Sequence, residues 1–190
     1  MKFVEKEFNT IIEEKKSKFI SYLIPYSLFE KTMQRVREEH PKAVHYVYAY
    51  RYLNEFEQII ENSSDDGEPR GTSGKPALAV LSGADIINSA VIIVRYFGGI
   101  KLGTGGLVRA YSNSVNEVIK IATFLPYKKL EKYILECNYS FLSQLEYLLN
   151  QNQANIVNKI FETSVKLEIF LTKEEFNELR ALLPREIKII

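Results

Sequence analysis

The sequence has 190 residues, enough for one large domain or two small ones that each bury a hydrophobic core. Its 25 lysine and arginine residues nearly balance 24 acidic ones, so contact with nucleic acid would require a local patch of cations. A single cysteine excludes an internal disulfide framework. The charged N-terminus lacks a signal-peptide core, and no apolar stretch approaches the ~20 residues that span a bilayer, so we expect a cytoplasmic protein without a membrane partner.

The first predicted elements are a pair of strands and a helix. Apolar residues on both sides of the charged segment 13–18 predict that residues 10–24 form paired strands with a polar edge. Ser27 and Glu30 have the spacing of a capping box, and His40-Pro41 would end the helix that follows. The predicted buried side of this helix is Leu28, Phe29, Thr32, Met33 and Val36.

Residues 44–52 alternate and are rich in aromatic and β-branched side chains, which predicts a strand. A second strand is predicted near residues 58–61. In the first strand, one face would carry Val44, Tyr46, Tyr48 and Tyr50, and the other His45, Val47, Ala49 and Arg51.

The segment 62–76 is the most loop-like part of the sequence and contains Asp65, Asp66 and Glu68. These carboxylates could form a metal site, supply a general base, or stiffen a turn that caps the next helix, with Pro76 at its first position. The spacing does not match a calcium loop and no histidine cluster accompanies it, so we expect neither a metal nor a cofactor. Prolines at the critical positions of the Gly74-Lys75 segment also argue against a phosphate-binding P-loop.

The stretch 91–111 organises the chain, since it joins an apolar strand at 91–94 to a helix from Leu107 onward. A glycine-rich turn before a helix leaves N–H groups free for a phosphate or carboxylate, although the glycines could also serve only tight packing. Val108 stands where a dinucleotide fingerprint needs glycine, which argues against nicotinamide binding. The predicted helical stripe is Leu107, Val108, Tyr111, Val115, Val118, Ile119 and Ala122. The turn contains Gly98, Gly99, Gly103, Gly105 and Gly106, with the cations Arg95, Lys101 and Arg109 around it.

A boundary near Pro126 predicts two domains, 1–125 and 126–190. The second has the order strand, helix, strand, strand, helix, strand, which predicts a ferredoxin-like βαββαβ sandwich. Thr172 and Glu175 would cap its second helix. It contains neither glycine nor histidine, so we interpret it as a binding or packing module. Its expected inward-facing residues include Tyr133, Leu135, Cys137 and Tyr139 on the first strand and Phe176, Leu179, Leu182 and Leu183 on the second helix.

Three segments, 43–50, 65–74 and 95–111, resemble in order and separation the motifs of the IMPACT family, in particular its bacterial YigZ-type members. The resemblance covers nearly the whole chain. It implies an α+β protein whose first domain is a ribosomal-protein-like βα fold similar to domain IV of elongation factor G. The second domain would be similar to the ferredoxin-like domain V of that factor.

The same resemblance suggests a role in translation, because both domains of the elongation factor work on the ribosome. Eukaryotic members look like translation regulators that restrain a starvation-responsive kinase. They carry an additional N-terminal partner-binding domain that we expect this chain to lack, so kinase regulation is not carried over. The family resemblance transfers no catalytic residue.

The hypothesis we favour is a protein that binds RNA or the ribosome and regulates translation, with exposed tyrosines assisting. The alternative for the cations is pairing with Asp65, Asp66 and Glu68 in a neutral structural cluster. A protein partner and the oligomeric state are left open by the sequence. The candidate anion or RNA-binding residues are Arg70, Arg95, Lys101, Gly103, Thr104, Gly105, Gly106 and Arg109.

The alternative function is a small-molecule hydrolase or other enzyme, with a site between the loop 65–74 and the turn 98–106. His45 would be the base, oriented by Asp66 or Glu68, and Arg95 would stabilise an anion. No serine or cysteine nucleophile stands in a matching context, so binding is favoured over catalysis.

Overall fold

The computed structural model describes all 190 residues, which form two compact units, Met1–Tyr127 and Lys128–Ile190. Each unit combines helices with an antiparallel sheet, so the predicted α+β class with two domains is confirmed. None of the helices is both long and apolar enough to cross a membrane.

The strands of the first unit are β1 (Lys2–Phe3), β2 (Phe8–Glu14), β3 (Ser17–Pro25), β4 (His45–Leu53), β5 (Ile59–Ser64), β6 (Ser89–Tyr96) and β7 (Leu125–Pro126). Five of them form an antiparallel sheet with the order β2-β3-β6-β4-β5. The short strands β1 and β7, from the two ends of the unit, pair with each other in a separate two-stranded sheet. The helices of the unit are α1 (Phe29–Glu39), α2 (Gly74–Gly83) and α3 (Thr104–Ile121).

The central strand β6 is buried on both faces, as its apolar sequence predicts. Val91 and Ile93 belong to the core that α2 and α3 cover, whereas Ile92 and Val94 belong to a second core beneath α1. Burying such a side chain fully contributes about 1.5–3 kcal/mol, so this strand fixes the sheet between two helical layers.

The strand β4 alternates as predicted, with Val47 and Ala49 in the core under α2 and α3. Its tyrosines lie on the other face, where they pack against Tyr26 and Phe29 near α1. These tyrosines therefore lie in the layer opposite the core that α2 and α3 cover.

Four local expectations are wrong. Residues Tyr26–Leu28 form a 3-10 turn, so α1 begins at Phe29, Ser27 makes no cap and Leu28 is exposed. On α3, Val108 is exposed because it lies one helical step beyond the side that faces the sheet. The helix α2 begins at Gly74, two residues before Pro76.

The second unit has the ferredoxin-like order βαββαβ and a four-stranded antiparallel sheet ordered β11-β8-β10-β9. Thr172 and Glu175 form the predicted capping box. Tyr139 lies in a 3-10 turn after its strand and Leu182 ends its helix, and both side chains are exposed, contrary to expectation. The elements are β8 (Glu131–Cys137), α4 (Leu142–Gln151), β9 (Ile156–Phe161), β10 (Val165–Leu171), α5 (Lys173–Leu182) and β11 (Lys188–Ile189).

Candidate functional site

Asp65, the first carboxylate of the acidic loop, accepts hydrogen bonds from the start of α2, which lies up to nine positions later in the sequence. It accepts hydrogen bonds from the N–H groups of Gly71, Ser73 and Gly74 at 2.7, 3.1 and 2.8 Å, and from the Ser73 hydroxyl at 2.7 Å. Partial burial alone would raise the pKa of Asp65, but the four hydrogen bonds outweigh it and hold the pKa below its ordinary value. The Asp65 carboxylate therefore stabilises the loop and the start of α2, and both of its oxygens are occupied by these hydrogen bonds.

Asp66 fastens the same loop to the start of β4. Its Oδ2 accepts the N–H of Tyr46 at 2.6 Å, its Oδ1 lies 3.5 Å from Arg37, and its carbonyl oxygen lies 2.7 Å from Nδ1 of His45. A carbonyl only accepts, so Nδ1 of His45 carries a proton and donates it to this oxygen. The loop thus orients His45 through its backbone and not through a carboxylate.

Glu68 lies at the centre of a buried cluster in which its Oε1 is ion-paired with Arg95 and accepts the Tyr111 hydroxyl at 2.8 Å. Nε2 of His45 is 3.7 Å from the same oxygen. Burial, followed by the charge of Glu68, raises the pKa of Tyr111, so its phenol stays protonated and remains a donor. The Glu68 and Arg95 side chains are only 3% and 6% exposed.

Arg95 lies within the molecule and not on its surface. Its Nη2 is 3.4 Å from the Ser17 hydroxyl oxygen, and its guanidinium carbon lies 5.5 and 5.8 Å from the ring centres of Phe19 and Phe97. For Arg95, the structure therefore agrees with the alternative that the sequence left open, in which the cations pair with the carboxylates of the acidic loop in a neutral cluster. The two charges neutralise each other, so the pair is costly to break and offers little free charge to a ligand, although Nε of Arg95 is buried without a hydrogen-bond partner.

A cleft of about 470 Å³ opens above this cluster. His45, Glu68 and Arg95 contribute to its lining, and so do Lys101 and Thr104 from the start of α3. Its apolar lining consists of Val44, Pro69, Phe97, Leu102 and Leu107. A mainly apolar cleft with a few convergent polar groups is the usual form of a ligand site.

The start of α3 borders the cleft with unpaired backbone donors. Gly103, at φ 74°, is the N-cap residue, and no side chain caps this helix. The first helical bond runs from the N–H of Leu107 to the carbonyl of Gly103, which leaves the N–H groups of Thr104, Gly105 and Gly106 without a helical acceptor. With no acidic residue in its first turn, this end of the helix favours an anion.

Four exposed cations lie on the segments that meet here, and we call them the basic rim. Lys101 lies in the glycine-rich turn, Arg109 lies on α3, and Lys15 and Lys16 form the β2–β3 turn, whose backbone contacts Gly98. Lys15 and Arg109 line a groove of about 360 Å³ together with Glu14 and Gly106. None of the four cations forms a salt bridge, in contrast to the buried Arg95. The basic rim is therefore the part of this region whose positive charges are not neutralised by a carboxylate of the protein.

Several of the predicted site residues come together here. His45, Glu68, Arg95, Lys101, Gly103 and Thr104 line the cleft, and Gly106 and Arg109 line the adjoining groove. Gly105 is exposed in the first turn of α3, and Arg70 is exposed after Pro69 but lines neither cavity. The Asp66 carboxylate is directed to Tyr46 and Arg37, away from the Glu68 cluster.

Lys15 and Lys16 could not be assigned to this region from the sequence, because the β2–β3 turn is about 80 residues away in the chain. Phe97, which forms a wall of the cleft, was not among the predicted site residues either. The positive φ angles of 46° and 63° at the two lysines mark the tight turn that brings them here. The only signal of this turn in the sequence is the charged segment 13–18.

Two family models match this chain: the Impact N-terminal domain over residues 15–119, and a domain of unknown function, DUF1949, over residues 135–184. The IMPACT family member YigZ of Escherichia coli (strain K12) is 39% identical over 178 residues, 92% of this chain and 87% of that protein. The IMPACT family member YvyE of Bacillus subtilis (strain 168) is 33% identical and covers 90% of this chain and 78% of its own. A crystal structure of a hypothetical protein, 34% identical, superposes with a TM-score of 0.67 over 100% of this chain and 95% of that one.

Proposed function

We propose, from the premise that this chain belongs to the IMPACT family, that it regulates translation by binding ribosomal RNA through the basic rim and the start of α3. The observation that carries the proposal is the combination of four unpaired, exposed cations with three unpaired backbone N–H groups at one helix end. Phosphate groups are satisfied by both kinds of donor.

The contrast between the rim and Arg95 supports RNA phosphate as the ligand class. Arg95 is neutralised by Glu68 inside the first unit, whereas Lys101 is exposed within the glycine-rich turn and Arg109 is exposed on α3. A phosphate that approaches the helix end therefore meets exposed cations, and counterions are released when they bind it. The overall charge of +1 supplies no such attraction, so the effect depends on where these cations lie.

Exposed apolar side chains beside the cations favour RNA over a purely ionic partner. Phe97 and Ile100 are 49% and 44% exposed within the turn that leads to α3. Single-stranded and looped RNA presents unstacked bases together with phosphates, and proteins bind it by placing aromatic rings beside cations. An acidic protein surface would use the charges but would have no need of this ring.

The proposal is tested by fluorescence anisotropy with labelled single-stranded and hairpin fragments of ribosomal RNA across a salt series. Each phosphate contact contributes about 0.7 to the slope of log affinity against log salt for a single strand. We expect Lys101→Glu/Arg109→Glu to weaken binding and lower this slope by about 1–2. The matched control is Lys31→Glu/Lys75→Glu, which makes the same change in net charge at exposed residues of α1 and α2. Equal slopes for the two double variants would contradict the proposal.

A further inference from the structure

A second cavity, of about 570 Å³, lies at the other end of the same sheet from the candidate site. The strand β4 begins at His45, which lines the cleft, and ends at Leu53, which lines this cavity. Because β4 has nine residues and an extended chain rises about 3.3 Å per residue, the two sites are roughly 25 Å apart. The cavity is therefore separate from the basic rim, and what it binds does not depend on the proposed function.

Asn88 fixes the aromatic wall of this cavity by joining the ends of β3 and β4. Its carbonyl oxygen accepts the N–H of Tyr26 at 2.9 Å, and its side-chain oxygen accepts the N–H of Leu53 at 2.9 Å. Asn88 has a φ of 50°, in a backbone region that asparagine adopts more readily than most residues. The rings of Tyr26 and Tyr52 stack here, with their centres 4.0 Å apart and their planes 5° from parallel. This wall is in place before a ligand binds, so binding requires little ordering of side chains.

The electrostatic character of the cavity is negative. Glu5 is the only charged residue in its lining, and the exposed Glu5 carboxylate forms neither a salt bridge nor a hydrogen bond within the protein. Burial, the neighbouring Tyr52 and, more weakly, the charge of Glu30 raise the pKa of Tyr26 to about 12, so a second carboxylate acts on this wall. The faces of aromatic rings also attract cations, so the cavity favours a positively charged group.

We propose that this cavity binds an arginine side chain of a partner protein, with the guanidinium between the Glu5 carboxylate and the stacked pair of Tyr26 and Tyr52. A guanidinium presents two parallel N–H groups to a carboxylate and also stacks on aromatic faces. Leu28, which is 40% exposed, and Pro25 also line the cavity and provide an apolar surface for the residues beside the arginine. The partner segment therefore carries one arginine with apolar neighbours.

A free polyamine has the same kind of charge but matches the lining less well. Its several ammonium groups would meet a single carboxylate in the cavity, and the others would lose water beside Val4, Pro25 and Leu28. A segment with one arginine brings one cation for one carboxylate, and its apolar side chains contact the rest of the lining. The balance of charge and apolar surface favours a protein segment over a free polycation.

The test is an NMR titration of the full chain with the capped tripeptide leucine-arginine-leucine. The comparison ligand is the same tripeptide with citrulline, which has nearly the shape of arginine but no charge. We expect saturable shifts of the amide signals of Tyr26, Leu53 and Asn88, and about five- to tenfold weaker binding of the citrulline peptide. Glu5→Gln and Tyr52→Leu should each weaken the arginine peptide about two- to fivefold. Glu13→Gln, at an exposed carboxylate on β2, is the matched control for Glu5→Gln and should bind like wild type.

Three results would overturn the proposal. These are no saturable shift at the cavity, equal affinity for the arginine and citrulline peptides, and equal affinity of Glu5→Gln and Glu13→Gln for the arginine peptide. Titration with spermidine tests the other source of the cation. Tighter binding of spermidine than of the arginine peptide at this cavity would replace the protein partner by a free polyamine. Glu5→Gln should bind ribosomal RNA like wild type, so failure here leaves the proposed function untouched.

Discussion

The backbone of Gly98 rests directly on the backbone of Lys16, so that a β-carbon at residue 98 would lie 2.0 Å from the Lys16 carbonyl carbon. The N–H of Gly98 also donates to the hydroxyl oxygen of the neighbouring Ser17 at 3.2 Å. This contact joins the turn between β2 and β3 to the loop that leads into α3. It is the reason that lysines from the start of the chain belong to the same basic rim as Lys101.

We predict that Gly98→Ala destabilises the first unit by at least about 1–3 kcal/mol, because neither backbone can move aside without breaking strand pairing. Urea unfolding measures the change. Gly83→Ala is the control, since no atom lies within 4 Å of a β-carbon there and its φ is not positive. That substitution should change the stability by less than about 1 kcal/mol. Equal stability of the two variants would show that the contact with Lys16 is not rigid.

The buried phenol of Tyr111 provides a prediction about alkaline pH. Because its pKa is raised in the folded state, mainly by burial and then by Glu68, the native protein holds a proton that the unfolded chain releases above about pH 10. Its contribution to stability is therefore complete below about pH 10 and declines above it. Tyr111→Phe should cost about 1 kcal/mol near neutral pH through loss of the hydrogen bond to Glu68.

The same comparison gives a slope. Above about pH 10, the stability of the wild-type chain should fall more steeply than that of Tyr111→Phe, by about 1.4 kcal/mol per pH unit. Urea unfolding over roughly pH 8–11 follows this, since the other tyrosines titrate alike in both proteins. Parallel curves would mean that the phenol of Tyr111 ionises in the native state.

Asp65 gives the opposite dependence on pH. Its lowered pKa means that the ionised carboxylate stabilises the fold above about pH 4, the value for an unfolded aspartate, and that this contribution is lost as the pH falls through the lower native pKa. Asp65→Asn should cost about 2 kcal/mol or more at neutral pH, because an amide cannot accept all four hydrogen bonds. The difference from wild type should shrink in acid. Glu5→Gln, at an exposed residue without a hydrogen bond, is the control and should leave the stability unchanged at both pH values.

Local periodicity was enough to predict the elements that position the site. The alternation from His45 to Leu53, the apolar strand β6 and the helix after the glycines all follow from side chains that repeat every two or 3.6 residues. The same holds for the second unit, where Thr172 and Glu175, three positions apart, are enough to predict the capping box.

The chemistry of the site could not be predicted in the same way, because its partners are far apart in the chain. Glu68 meets Arg95 across 27 residues and Tyr111 across 43, so the sequence could not distinguish a free arginine from a paired one. From the sequence, Tyr111 is predicted only to be part of the apolar stripe of α3 and not to form a hydrogen bond with Glu68. The role of Asp65 as a distant cap of α2 depends likewise on the path of the loop, which no repeat specifies.

Co-sedimentation with ribosomes and their separated subunits across a salt series measures whether the basic rim binds the ribosome. The wild-type chain should pellet with ribosomes at low salt and be released as the salt rises, because its contacts are to phosphates. Lys101→Glu/Arg109→Glu should remain in the supernatant, and Lys31→Glu/Lys75→Glu should behave like wild type. Absence of wild-type binding at low salt, or equal pelleting of the two double variants, would contradict ribosome binding through the basic rim.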